Sequence, residues 1–321
     1  MAQWEKLGRV FDPTALAGRP DWMFEYAQAP WTVLFDDFVR VYFSCRAERD
    51  AQGMCVSYAA YVDLDRKDLF RVLRVADRPI LELGSRGTFD EFGTYPVSVL
   101  RDGDEYKVYY TGHTRCESVP FDTAVGLGVS TDGGRTFVKA GVGPVLSSSP
   151  FEPFVISGPK IRKFGDVYHL FYISGMRWIE HSGRKEVVYK IRKAESENGI
   201  DWTRSNVNLI REKLGENEVQ ASPDVFFRNG RYHMFFCYML TPDFRTNQAL
   251  SYRIGYAQSD DLLHWERDDS RAGIDVSANG FDNEMLAYPH VFELDGETYM
   301  LYLGNQVGRY GFGLARLRGD I

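Results

Sequence analysis

The stretch PVSVLRDGDEYKVYY, Pro96 to Tyr110, carries the pattern that decides the fold. A proline opens a short apolar strand, Val97–Leu100. The polar turn Arg101-Asp102-Gly103-Asp104 follows, and then an aromatic strand, Val108-Tyr109-Tyr110. A glycine-containing turn between two alternating apolar runs is a hairpin signal. The same unit recurs at Pro30, Pro159, Pro223 and Pro289, with successive spacings of 66, 63, 64 and 66 residues along the five prolines. The aromatic strand returns as Val41-Tyr42-Phe43, Leu170-Phe171-Tyr172, Phe235-Phe236-Cys237 and Leu301-Tyr302-Leu303.

Working outward, a third strand follows in the later copies, for example Val125–Ser130, Lys190–Ala194, Ile254–Ala257 and Phe312–Ala315. Three copies then turn and end on an aromatic residue: Phe137, Trp202 and Trp265. A fixed period of this length marks a repeat architecture. Groups of about four antiparallel strands repeated radially describe propeller blades. The expected fold is all-β: one five-bladed β-propeller domain over 1–321, with blades near 22–75, 88–140, 150–205, 216–268 and 281–317. The last copy has three obvious strands, and the segment 4–11 is expected to add the fourth and so tie the chain ends together. A β-sandwich or a row of separate sheets is the competing arrangement.

Bulk properties exclude several classes. The 321 residues are 44% hydrophobic and 26% charged, as in soluble globular proteins. A net charge of −7 opposes general nucleic-acid binding. No run of apolar residues is long enough to span a membrane as a helix. The start of the chain lacks the apolar stretch of a signal peptide. Cys45, Cys55, Cys116 and Cys237 are scattered and form no metal-binding pair. These features predict reduced thiols and a cytoplasmic location, with no membrane or nucleic-acid partner.

The third copy, Ser157-Gly158-Pro159-Lys160-Ile161 through Leu170-Phe171-Tyr172, resembles a blade of glycoside hydrolase family 43. Ser222-Pro223-Asp224-Val225 is similar to that family's A-P-D-V motif, and the S-x-D-G-x-x-W/F ending recurs in the wider group of arabinanases, levansucrases, invertases and mannoside phosphorylases. The resemblance covers roughly residues 20–317. It implies a propeller fold and a carbohydrate-active enzyme. It also implies acids that are missing: the general base position holds Ala29, the general acid position Ser157, and the position tuning the acid Val97. A hydrolase of this kind needs two carboxylates flanking the scissile bond, so ordinary family 43 hydrolysis is not expected.

Other acids are regularly placed. Five residues before the prolines stand Glu25, Glu91, Phe154, Glu218 and Glu284. Glu25, Glu91, Glu218 and Glu284 are therefore the expected pool of general acid and base around the axis. Strand alternation sets Tyr95, Tyr288, His290 and Asp224 on a related face. Past the aromatic strand each copy carries an arginine: Arg46, Arg115, Arg177, Arg245 and Arg309. Guanidinium forks match phosphate or carboxylate, so these predict an anionic sugar, with Trp22, Tyr95 and Tyr288 available to stack on it. The competing reading is that the Glu–Arg pairs stitch neighbouring blades. No cofactor or metal is expected. An axial Ca²⁺ would suit clustered oxygens, but no EF-hand-like loop marks one. The function expected is cleavage or transfer of a glycosyl group on a small carbohydrate. The alternative is a non-catalytic sugar-binding or scaffold propeller.

Overall fold

The computed structural model describes residues 2–321. Strand β1 (Gln3–Phe11) comes first. Five four-stranded antiparallel groups then account for the strands. The first is β2 (Glu25–Leu34), β3 (Phe38–Arg46), β4 (Ser57–Asp65) and β5 (Val72–Val75). The second is β6 (Gly93–Asp102), β7 (Glu105–Arg115), β8 (Phe121–Ser130) and β9 (Val138–Lys139). The third is β10 (Ile156–Phe164), β11 (Val167–His181), β12 (Arg184–Ser196) and β13 (Thr203–Arg204). The fourth is β14 (Glu218–Arg228), β15 (Arg231–Leu240), β16 (Arg253–Ser259) and β17 (Glu266–Arg267). The fifth is β18 (Ala287–Leu294), β19 (Glu297–Leu303) and β20 (Phe312–Arg318), completed by β1, which pairs with β20 from Gln3↔Arg318 to Phe11↔Phe312. A single parallel contact, Ser57↔Gly93, joins the first two groups into one longer sheet.

Local chemistry explains the units. The turns Asn229-Gly230 and Asp295-Gly296 place both central residues at positive φ, 51° and 79° in one and 51° and 84° in the other. That backbone matches strand twist, and Asn-Gly and Asp-Gly adopt it readily. The aromatic second strands are buried, Tyr42, Phe43, Tyr109, Tyr110, Phe171, Tyr172, Phe235, Phe236 and Tyr302 among them. The S-x-D-G turn is an inter-unit latch. Tyr42 Oη donates to the Gly134 carbonyl at 2.7 Å, and Tyr109 Oη to that of Gly199 at 2.9 Å. Both glycines have positive φ, and a Cβ there would lie 2.3 and 2.5 Å from the tyrosine oxygens, so no other residue fits without displacing the latch.

The first strands meet one another through a ring of polar bonds. Trp31 Nε1 donates to the Val99 carbonyl (2.7 Å) and Ile161 N to Ser98 Oγ (2.9 Å). Arg162 reaches Asp224 at 2.5 Å, and Val291 N donates to Asp224 at 2.5 Å. Thr32 N donates to His290 Nε2 at 2.9 Å. The bonds thus run from unit one through units two to five and back to unit one. Asp224 is fully buried. Burial alone would raise its pKa, but Arg162, His290 and Lys160 draw it well below the ordinary carboxylate range. No helix among the described residues is long and apolar enough to cross a membrane.

Two outcomes follow for stability. D224N removes the anion that three units share, and urea unfolding should show a loss of about 3 kcal/mol. The second concerns acid. Because Thr32 N donates to Nε2, His290 carries its proton on Nδ1 and is neutral. Burial pushes its pKa down from 6.5 to about 4. The unfolded chain therefore binds the proton first, and stability present above pH 6.5 is lost as the pH falls towards 4. By pH 5 the loss should be about 2 kcal/mol, and H290Q should escape it. Equal acid losses in wild type and H290Q would contradict this assignment.

Candidate active site

One device at the five prolines builds the site. In four units the residue before the proline is left-handed: Ala29 (φ 50°), Gly158 (63°), Ser222 (49°) and Tyr288 (52°). In the second unit Tyr95 joins Pro96 through a cis bond. At every proline the pairing with the second strand shifts register, between Gln28/Trp31, Thr94/Val97, Ser157/Lys160, Ala221/Asp224 and Ala287/His290. Proline has no N–H to give the ladder, and a bulge re-aims side chains where pairing is interrupted. Bulge residues from all five first strands, including Ala29, Tyr95, Ser157, Ser222 and Tyr288, line one cavity. Tyr189, His113, Lys160 and Phe121 complete much of its wall.

The cavity is poor in carboxylates and holds unpaired cations. Lys160 is 2% exposed and its Nζ has no hydrogen-bond partner. Burial pushes its amine down to about 8, although Asp224 opposes this. Its ammonium lies 4.9 Å from the Trp31 ring centre. Arg46, at the end of β3, donates to Gln28 Oε1 and Tyr95 Oη, both at 3.0 Å, and lies over the Tyr26 ring at 4.3 Å. Among the described residues no carboxylate pairs with it. His113 stacks on Tyr95 with ring centres 4.7 Å apart and donates from Nε2 to the Tyr95 carbonyl at 2.8 Å. Burial holds it near pKa 4, so it is neutral. A wider vestibule shares Gln28, Tyr95 and Tyr288 with the cavity and adds Arg49, Arg245 and Glu284. An adjoining groove holds Arg46 and Arg115. Among the described residues Glu284 is the one carboxylate bordering these spaces.

The structure therefore brings together Arg46, Tyr95, Tyr288, Arg245, Glu284 and, at the groove, Arg115. The other expected site residues lie elsewhere, and each is occupied. Glu25 pairs with Arg309 at 2.8 Å. Glu91 closes a turn by accepting from Gly87 N at 2.8 Å. Glu218 is fully buried and accepts from Lys213 N, Leu214 N, Gln220 and Arg267 at 2.6–2.8 Å. It stitches strands and does not line the cavity. Arg177 binds Asn217 at 2.5 Å, and Trp22 packs on Tyr58. Asp224 and His290 belong to the ring of inter-unit bonds. Arg115 and Arg245 are themselves paired, with Asp50 at 2.8 Å and Glu186 at 2.5 Å. Among the described residues no three His, Cys, Asp or Glu side chains converge as a metal-ligand set.

Sequence reasoning missed Lys160, Ser222, Tyr189, His113 and Arg49. One signal was present. Lys160 directly follows Pro159, the position of Asp224 and His290 in later copies. A second pattern also went unread: an acid twenty residues before a second-strand tyrosine. Asp90–Tyr110 (2.8 Å), Glu152–Tyr172 (2.9 Å) and Asp282–Tyr302 (3.1 Å) are buried hydrogen bonds of this kind.

Solved structures share this architecture. A glycoside hydrolase superposes with a TM-score of 0.74 at 16% identity, over 99% of this chain and 92% of that one. A member of the GH130 family of mannoside phosphorylases, a family that contains glycoside hydrolases targeting β-1,2 mannosidic linkages in Candida mannan, gives 0.72 at 12% identity, over 98% and 93%. A thermostable family-43 glycoside hydrolase gives 0.61 at 13% identity, over 91% and 88%. At these identities the likeness is one of fold: a propeller-type, glycoside hydrolase-like architecture. No family model matches the sequence. Uncharacterized protein Rv1502 of Mycobacterium tuberculosis (strain ATCC 25618 / H37Rv) is 34% identical over 315 residues, covering 98% of this chain and 99% of that protein, and Uncharacterized protein MT1551 of strain CDC 1551 / Oshkosh matches to the same extent. With that identity along nearly the whole of both chains, this protein belongs to the same family as Rv1502.

Proposed function

We propose that the five units are the blades of a closed five-bladed propeller, and that its axial cavity binds a small carbohydrate and cleaves or transfers a glycosyl group with an anionic reactant. The ring of bonds between first strands and the β1–β20 pairing support the closure. The observation that carries the function is the unpaired Arg46 beside the cavity's tyrosines, with Glu284 the lone bordering carboxylate among the described residues. Fold likeness alone would not carry it.

The charge pattern favours a particular chemistry. Hydrolysis in related folds uses two carboxylates, and Ala29 and Ser157 line the cavity where the resemblance would place two of them. Transfer to phosphate needs one protein acid, because phosphate is its own nucleophile. In this reading Tyr95 and Tyr288 offer ring faces to the sugar, and Arg46 holds phosphate against the anomeric carbon. Glu284 gives its proton to the leaving oxygen as the glycosidic C–O bond breaks, and a phosphate oxygen forms the new C–O bond. The four free thiols support a reducing, cytoplasmic setting.

A second reading, a sugar-binding propeller without catalysis, is favoured by the empty acid positions at Ala29, Val97 and Ser157. Turnover of a disaccharide panel with inorganic phosphate, read as sugar 1-phosphate release, separates the two. E284Q should lower kcat by about 10²-fold or more. R46M should raise the KM for phosphate by about tenfold. Sugar binding without phosphate-dependent turnover would leave the second reading standing.

A further inference from the structure

The buried end of the cavity holds two donors that nothing in the protein uses. Lys160 Nζ has no partner, and neither has the Ser222 hydroxyl, which is also buried. Both line the same cavity. The anion nearest Lys160 along the chain's inner ring, Asp224, is already held by Arg162, Val291 N and His290. Ser222 sits at φ 49° in the bulge of its strand, a strained backbone of the sort that persists at ligand clamps. A buried ammonium without a hydrogen-bond partner is among the least favourable groups a fold can keep.

We infer that the buried end of this cavity receives the carboxylate group of an acidic sugar, held by the Lys160 ammonium and the Ser222 hydroxyl. The inference rests on the carbohydrate reading above and narrows its substrate class. Two donors match the two oxygens of a carboxylate. Of the side chains lining this cavity, Lys160 and Ser222 are the buried ones left without a partner among the described residues. One unpartnered cation and one unpartnered hydroxyl suit a monoanion, and a phosphate dianion with three oxygens would be left short of free donors. Phosphate belongs instead at Arg46, on the vestibule side.

The test is isothermal titration of the full chain with methyl glycosides of glucuronate, galacturonate and mannuronate, each beside its neutral parent glycoside. At least one uronide should bind tenfold or more tightly than its parent. K160M should remove that advantage and leave the parent's affinity within twofold. S222A should weaken the uronide about threefold and leave the parent alone. K160M also removes a cation that acts on Asp224, so some loss of thermal stability is expected; if it fails to fold, S222A decides. A neutral parent that binds as tightly as its uronide overturns the carboxylate assignment while sparing the carbohydrate reading. Uronide affinity unchanged in the folded variants overturns the roles of these two residues. No binding of any glycoside overturns both readings together.

Discussion

The carboxylate of Asp224 is the interaction on which the rest of the structure depends. It is withdrawn from water and shared by Arg162, the Val291 amide and the His290 ring, so one anion fastens three units at the axis. A buried charge persists only where its partners are well placed. That requirement fixes where the third, fourth and fifth first strands stand. Thr32, Trp31 and Ser98 carry the same fastening through the remaining two with neutral groups. The Trp31 and Ser98 bonds tolerate acid, whereas the Thr32 bond is lost when His290 is protonated.

Fastening at the axis leaves room beside it. Each first strand is interrupted at its proline, and the bulge turns backbone irregularity into side-chain aim. The cavity is thus assembled from equivalent positions in five units, but its chemistry is not five-fold. Alanine, tyrosine, serine and glycine occupy those positions in different units, and the next residue inward is Trp31, Val97, Lys160, Asp224 or His290. The repeat supplies a frame. Departures from the repeat supply the polarity, with Lys160 and Arg46 left without a carboxylate hydrogen-bond partner among the described residues and nearly every negative group engaged.

The same contrast explains what could be read in the sequence. Proline spacing, aromatic second strands and Asn-Gly or Asp-Gly turns are local and repeated, so the strand groups and the return of the N-terminal strand were legible. Arg46, Tyr95 and Tyr288 border the cavity because they lie beside bulges that the prolines mark. The glutamates were harder. A fixed offset of five residues assumes that every strand enters the axis in one register, yet the entry segments differ. Glu218 lies within a strand and faces Arg267, whereas Glu91 and Glu284 sit in turns. Glu152, with no place in that offset, is the buried acid of its unit and binds Tyr172, Arg192 and Arg204. Which carboxylates are consumed by partners depends on contacts between residues dozens of positions apart, and a single sequence does not display those contacts. Lys160 was hidden for a related reason: one cation in a strand that also carries Arg162 and Lys163 looks the same whether or not an anion awaits it.

The pairing of β1 with β20 has a consequence in time. β1 is made before its partner, with about three hundred residues between them. Until β20 has been made, Gln3–Phe11 has no ladder to join, and the fifth unit stands one strand short. Its exposed edge is a template for the wrong partner, including the same segment of another nascent chain. The charged residues spaced along this strand, Glu5, Lys6 and Arg9, are suited to that interval. They keep the waiting segment soluble, and Glu5 then binds Arg316 and Arg318 once β20 arrives. The β1–β20 pairing thereby forms only after the four units between these strands have been made.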